Sequence, residues 1–365
     1  MVRPKEQLYQ QTLIVQQHKE PPTAHQRDLA VPSIDTSTFQ QIVPLGRGRH
    51  GAVYLCRDTS SGQLHAVKSV PRSVIRDADA AARVMREKEM LGALSGSPGI
   101  ATLRGTWRDP FCLTFVLEPA LGGPLHKHIR AARDGHLSLV TSLFYMAELV
   151  SAVADVHAAG VVHRDLKASN VVLDARGHIK VVDLGCARRI PCSASGDLAR
   201  TYCGTLHCMA PEMVARRGHS CCVDWWALGI LLVEMLAGQP PFPYGIGEDE
   251  QDDAIRTSIR DATCDSVTAR LSHIASACAE WPTFPAVHNL IGGLLQPEPL
   301  ERLGHGGARE VQSHACFEGW DWDAVRSHGL EPPAFCKALG ELEAAGVVAG
   351  DMDITDADQQ AFAGF

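Results

Sequence analysis

The stretch VVHRDLKASNVVLD, residues 161–174, places acid–base and metal-binding side chains between two short apolar runs. Few folds hold this many functional groups between hydrophobic strands for structural reasons alone. Asp165 and Asn170 lie five residues apart across a loop, and Asp183 ends the next apolar run, IKVVD. Oxygen donors of this kind suit Mg²⁺. A single carboxylate could equally cap a helix or form a turn, but three oxygen donors with Lys167 are hard to explain in that way.

An upstream segment has the features of a phosphate-binding loop. Residues 45–53 read LGRGRHGAV, and glycines at this spacing let the backbone approach a phosphate closely. A dinucleotide-binding loop leads from a strand into a helix, but here the β pattern AVYLCRD follows the glycines. Lys68 lies in the next strand pattern, and Glu87 on the following predicted helix is its candidate counter-ion. An edge-strand lysine that points to water is the alternative.

These motifs, in this order, resemble the signature set of protein kinases. LGRGRHGAV resembles the glycine-rich loop, AVK the strand lysine, HRDLKASN the catalytic loop, DLG the metal-binding triplet and APE the end of the activation segment. The segment RTYCGTLHCMAPE further resembles the AGC group of serine/threonine kinases. The resemblance implies an α+β bilobal protein kinase fold, with a small antiparallel β-sheet N-lobe that carries one main helix and a larger, mainly helical C-lobe.

The predicted organisation has three parts. Residues 1–38, rich in Gln and interrupted by Pro, are predicted to be a flexible N-terminal arm. Residues 39–317 are the predicted kinase domain, with the N-lobe at about 39–118 and the C-lobe at about 119–317. Residues 318–365 resemble the AGC-type C-terminal tail, which ends in a Phe-x-x-Phe motif. Strands are predicted at 39–46, 52–58, 64–70 and 113–119, and the main helices at 77–94 and 139–159.

The resemblance implies that the protein transfers the γ-phosphoryl group of MgATP to Ser/Thr hydroxyls. Asp165 would accept the hydroxyl proton, Lys167 would neutralise the transferring group, and Thr205 would face both. Asn170 and Asp183 would hold Mg²⁺. The implied nucleotide-binding residues are Leu45, Gly46, Arg47, Gly48, Arg49, His50, Gly51, Ala52, Val53, Ala66, Lys68, Glu87 and Glu118.

Regulatory and structural positions are implied in the same way. Thr201 lies where the AGC group carries its activation-loop phosphothreonine, and Arg164 would pair with that phosphate. Phe362 and Phe365 would dock on the N-lobe beside the helix that carries Glu87. The implied structural residues, which would position the site, are Glu212, Asp224 and Arg302.

Composition bears on partners and location. The formal net charge of -8 argues against a protein that binds nucleic acid electrostatically. The longest apolar run, WWALGILLVEML, is too short for a membrane span, and twelve cysteines without metal-ligand spacing fit a reducing compartment. We therefore expect a cytoplasmic protein, with nuclear entry allowed, that contacts neither nucleic acid nor membrane. Its expected partners are protein substrates, an upstream activating kinase and a separate regulatory subunit.

Two alternatives stay open at this point. The same fold could belong to an ATP-binding pseudokinase or scaffold, although Lys68, Asp165 and Asp183 are all present. Preference for Arg-rich substrates is also open, because Pro124 and Ser169 stand where basophilic relatives carry acidic residues, whereas Glu234 is retained.

Overall fold

The computed structural model describes residues 32–48, 51–190, 198–244, 249–262 and 284–333. Most of the predicted arm, Arg49, His50 and both tail phenylalanines, Phe362 and Phe365, lie outside these ranges. Residues 32–38, at the end of the predicted arm, contact the sheet: Ser33 forms a parallel bridge with Thr106.

The N-lobe is built on a five-stranded antiparallel sheet in the order β1-β2-β3-β5-β4. The apolar and β-branched residues of these segments favour strands. The register places Lys68 of β3 beside Val53 of β2 and Phe115 of β5. The glycine-rich segment therefore lies next to the lysine strand. The strands are β1 (Phe39–Gly48), β2 (Gly51–Asp58), β3 (Leu64–Pro71), β4 (Leu103–Arg108) and β5 (Cys112–Leu117).

One main helix, α1 (Ala78–Ala93), belongs to the N-lobe. Asp77 caps its N-terminus, since the carboxylate accepts the Ala80 N–H at 2.7 Å. Helix α1 buries Met90 and Leu91 in the core and also buries the charged Glu87. A buried carboxylate requires a partner, and that partner belongs to the active site.

The C-lobe is mainly helical. Ser138 caps the long helix α3 (Leu139–Ala158) by accepting the Thr141 N–H at 3.2 Å. Helix α5 (Cys222–Ala237) is buried on almost every face. Short strands support the loops between these helices: β6 (Gly123–Pro124), β7 (Val161–Val162), β8 (Val171–Leu173), β9 (Ile179–Val181) and β10 (Arg188–Arg189). The helices are α2 (Leu125–Ala131), α3 (Leu139–Ala158), α4 (Pro211–Val214), α5 (Cys222–Ala237), α6 (Asp249–Arg260), α7 (Phe284–Leu294), α8 (Ala308–Gln312) and α9 (Trp322–Arg326).

These elements confirm the expected α+β bilobal fold. Within the described ranges, α3 alone is long and apolar enough to cross a membrane by length and composition. Its most apolar 18-residue window is 72% buried within the fold, so packing against neighbouring helices accounts for its apolar character.

Candidate active site

The strand lysine is held by two carboxylates. Lys68 Nζ lies 2.6 Å from Glu87 Oε1 of helix α1 and 3.4 Å from Asp183 Oδ1. Burial alone would lower the pKa of Lys68, but the two carboxylates outweigh it and raise the pKa, so the ammonium stays charged. Asp183 is only partly buried; its partial burial opposes ionisation, yet Lys68 holds the pKa of that carboxyl below its usual value. The Lys68–Glu87 pairing expected from sequence is present.

A buried carboxylate of the C-lobe holds the catalytic loop in place. Asp224 of α5 accepts the backbone N–H groups of His163 and Arg164 at 2.9 and 2.8 Å. His157 Nε2 donates to the same carboxylate at 2.8 Å, which stabilises its charge in a fully buried position. Arg164 has a left-handed backbone, with φ of 68°, and these two bonds hold it in that conformation.

Asp165 lies at the centre of a compact polar cluster. Thr205 Oγ1 donates to Asp165 Oδ1 at 2.7 Å, and Lys167 Nζ lies 3.0 Å from Asp165 Oδ2. Lys167 also donates to Thr205 Oγ1 at 2.7 Å, which closes a triangle. Asn170 Nδ2 donates to the Asp165 backbone carbonyl at 2.8 Å and to Oδ2 at 3.1 Å. The three residues orient the Asp165 carboxylate, which is 8% exposed.

Two further oxygens remain available for a cation. Asn170 uses its amide nitrogen for Asp165, and no described residue donates to its Oδ1. Asp183 is half-exposed, and its Oδ1 contacts Lys68 and the Gly185 N–H, whereas no described donor reaches Oδ2. An amide oxygen and an ionised carboxylate oxygen fit Mg²⁺, which takes hard oxygen ligands.

The glycine-rich segment crosses from β1 to β2. A side chain at Gly51 would collide with the backbone carbonyl of Ser69, so this position requires glycine. Ala52 and Ala66 are buried on the neighbouring strands β2 and β3. The backbone of Leu45, Gly46, Arg47 and Gly48 continues β1, and Val53 of β2 lies opposite Gly46.

Glu118 follows β5 at the junction of the lobes. Its side chain forms an ion pair with Lys180 of β9 at 2.5 Å, and its backbone N–H donates to the Thr102 carbonyl. The Glu118 carboxylate is therefore occupied by the C-lobe, and sequence alone showed no sign of this partner.

The activation segment lies against the catalytic loop. Gly204 has φ of +99°, and a Cβ there would lie 2.5 Å from the Arg164 carbonyl oxygen. Thr201 is exposed, and Arg188 of β10 donates to its hydroxyl at 3.3 Å. Arg164 Nε donates to the Cys186 carbonyl, but its buried Nη1 has no hydrogen-bond partner among the described residues.

Behind the activation segment, Arg302 forms a two-point ion pair with Glu212 of α4. The Nη1–Oε1 and Nη2–Oε2 distances are 2.8 and 3.0 Å, and the arginine side chain is fully buried. Three backbone carbonyls, of Cys222, Gln296 and Pro297, accept its remaining donors. The guanidinium also lies over the Trp226 ring, 5.3 Å from its centroid.

Comparison with known proteins agrees with this geometry. The protein kinase domain family matches residues 39–317. The chain is 34% identical over 320 residues to the cAMP-dependent protein kinase catalytic subunit PRKX of Homo sapiens, covering 85% of this chain and 80% of that protein. Over 302 residues it is 33% identical to protein kinase C eta type of Mus musculus, covering 81% of this chain.

Coverage of the relatives themselves is uneven. The chain spans only 40% of protein kinase C eta type and 63% of RAC-beta serine/threonine-protein kinase A of Xenopus laevis, to which it is 31% identical. The ordered motifs, the bilobal fold and these matches agree with one another. The chain is a member of the protein kinase family and belongs to its AGC group of serine/threonine kinases.

Proposed function

We propose that the protein transfers the γ-phosphoryl group of ATP to serine and threonine hydroxyls of protein substrates. The observation that carries the proposal is the triangle of Asp165, Lys167 and Thr205, in which every side-chain pair is within 3.0 Å. An isolated turn carboxylate would need none of these partners. Here the Lys167 ammonium and the Thr205 hydroxyl hold the Asp165 carboxylate in one orientation, as a general base requires.

The contacts indicate a chemical role for each of these residues. Asp165 accepts the proton of the attacking hydroxyl, and Lys167, 3.0 Å away, offsets negative charge that builds up on the transferring group. Lys68, which Glu87 keeps charged, contacts the nucleotide phosphates from strand β3 of the N-lobe. The backbone of residues 45–53 covers those phosphates.

Asn170 and Asp183 would hold Mg²⁺ through the two oxygens that lack described donors. When bound, the ion neutralises phosphate charge. The chain's own contribution is to fix the two oxygen ligands: Asn170 through its bonds to Asp165, and Asp183 through Lys68 and the Gly185 N–H.

We further propose that phosphorylation of Thr201 activates the protein. A phosphate there would carry close to two negative charges. Arg188 already contacts the Thr201 hydroxyl, and the buried Nη1 of Arg164, within the catalytic loop, has no hydrogen-bond partner among the described residues. Pairing with these arginines would link the activation segment to Asp165 through the backbone. An upstream kinase is the partner that this proposal requires.

Substrate preference depends on Glu234, which is buried on α5. Tyr244 donates its hydroxyl to Glu234 Oε1 at 2.8 Å, and Oε2 has no described partner. A substrate arginine would satisfy Oε2, whereas Pro124 and the exposed Ser169 offer no further carboxylate. We propose that the protein has at most one subsite for a basic residue of the substrate.

We also propose a separate regulatory subunit as a partner and a cytoplasmic location. The location is supported by the free thiols at all eight described cysteines.

The alternative, an ATP-binding pseudokinase, predicts nucleotide binding without transfer. The experiment is transfer from γ-³²P-labelled ATP to an arrayed Ser, Thr and Tyr peptide library, with Mg²⁺ and Thr201 phosphorylated. We expect labelling of Ser and Thr peptides by the wild type, loss with Asp165→Ala and a large reduction with Thr201→Ala. Binding of ATP without any labelling would support the pseudokinase and contradict the enzyme.

A further inference from the structure

Three metal-ligating side chains meet in the C-lobe, and none has a role in the proposed phosphoryl transfer. Glu148 lies on α3, His178 in the turn between β8 and β9, and His328 directly after α9. One ligand atom of each residue lies within 4.8 Å of the others. The side chains are only 2%, 2% and 6% exposed, unlike the acidic clusters that are common on protein surfaces.

Glu148 and His178 already form a directed pair. His178 Nδ1 lies 2.6 Å from Glu148 Oε1, and Glu148 Oε2 accepts the Ile179 N–H at 2.9 Å. The second oxygen therefore fixes the orientation of the carboxylate, while the first shares one proton with the imidazole. A metal ion can take the place of a proton shared in this way, because both atoms are metal ligands when deprotonated.

His328 has no such partner. Its ring stacks on His178, with centroids 4.6 Å apart and planes 8° apart, and no described residue hydrogen-bonds to either ring nitrogen. A ring nitrogen of His328 is therefore not engaged by any described side chain and can serve as a ligand. Its φ of 55°, a left-handed value at a helix end, is one that glycine adopts more easily.

We propose that Glu148, His178 and His328 together bind one Zn²⁺ ion. Two imidazoles and one carboxylate, with a water in the fourth position, are a ligand set that zinc takes in proteins. Binding would replace the proton between His178 Nδ1 and Glu148 Oε1 and release it to solvent. Ligands on a tetrahedral zinc are roughly 3.3 Å apart, so the most distant pair must approach by about 1.5 Å at most, and the 2.6 Å contact between His178 Nδ1 and Glu148 Oε1 must widen. One of the two stacked imidazole rings must also turn, because a zinc ion lies in the plane of each ring that binds it.

The surrounding charges allow a cation. Lys180 is paired with Glu118, and Arg176 lies 3.6 Å from Asp174. Asp174 in turn accepts the His178 backbone N–H at 3.0 Å and so supports the turn that carries the ligand. A bound ion would cross-link α3, the β8–β9 turn and the segment after α9, which are far apart in sequence.

The test uses the full chain, stripped with EDTA and dialysed against ZnCl₂. We expect one tightly held zinc per chain by mass spectrometry, and an increase in the melting temperature on zinc addition. His328→Gly removes a ligand and also relieves the left-handed backbone, so it should fold well. Zinc affinity should fall by more than the 10- to 100-fold typical of outer-shell changes. Glu148→Gln, which keeps the shape of the side chain, should have a similar effect.

The matched control is His136→Ala, since His136 is half-buried and, among the described residues, forms a single side-chain hydrogen bond, to the Leu137 carbonyl. It should bind zinc like the wild type. Co²⁺ substitution distinguishes this site from the cysteines, because nitrogen and oxygen ligands give d–d bands without thiolate charge transfer. The proposal would be overturned by any of three results. The wild type could fail to retain one equivalent of zinc, His328→Gly could retain zinc as well as the wild type, or the Co²⁺ form could show a thiolate charge-transfer band.

Discussion

Glu212→Gln should destabilise the helical lobe by about 3 kcal/mol, because it leaves the buried Arg302 charge without its counter-ion. Breaking a buried ion pair from one side costs roughly 3–5 kcal/mol. Arg302 is fully buried, so solvent does not reduce the effect. Three carbonyls still accept from the guanidinium after the substitution, which places the expected cost at the lower end of that range.

Urea denaturation followed by tryptophan fluorescence measures this cost. Trp225 and Trp226 are fully buried on α5, and Trp226 lies against Arg302 itself. With an m value of about 3 kcal/mol/M for a domain of this size, the midpoint should fall by about 1 M.

Arg176→Met is the matched control. Arg176 is 65% exposed and lies 3.6 Å from Asp174, so its loss should change stability by less than about 0.5 kcal/mol. A Glu212→Gln midpoint indistinguishable from that of Arg176→Met would refute the view that this pair holds the activation segment on the lobe.

Two other predictions concern pH and the activation segment. Burial lowers the pKa of both His207 and His219 to about 4, so each is neutral when folded, whereas it titrates near 6.5 when unfolded. The stabilisation that results from these two lowered pKa values should be fully present above pH 6.5. As the pH falls from 6.5 to 4, each histidine should lower the free energy of unfolding by about 1 kcal/mol per pH unit, and His219→Gln should reduce this slope in urea titrations. Gly204→Ala should lower kcat about 100-fold, because its Cβ would push against the Arg164 carbonyl. Gly62→Ala has a similar positive φ but open space around it and should leave kcat unchanged; equal losses would contradict the close-approach argument.

The residues of the proposed chemistry could be named from the sequence because they lie close together in the chain. Asp165, Lys167 and Asn170 lie within six residues, and their spacing alone indicates oxygen ligands beside a cation. The main N-lobe helix also followed from the pattern: helix 77–94 was predicted, and the structure has Ala78–Ala93 with Asp77 as its cap. Strand β4 (Leu103–Arg108) was missed, because its sequence LRGTWR contains a glycine and two arginines and lacks a run of strand-forming residues.

Partners that are far apart in the chain were missed. His157 supports Asp224 across 67 residues, and Lys180 occupies Glu118 across the lobe junction. Arg188, which contacts Thr201, has no spacing signal, because its position depends on the pairing of two-residue strands. Such contacts form only when tertiary structure brings the segments together, so no local pattern could reveal them.

We propose that Asp165 performs the chemistry, whereas the residues around it bind the nucleotide. Asp165→Asn keeps the shape of the side chain and removes the base. Measured side by side, the affinity for MgATP should stay within about threefold of wild type, and kcat for a Ser/Thr peptide should fall by roughly 10²–10⁴. An unchanged kcat in Asp165→Asn, or a wild type that binds MgATP without turnover, would rule out Asp165 as the catalytic base of an active kinase.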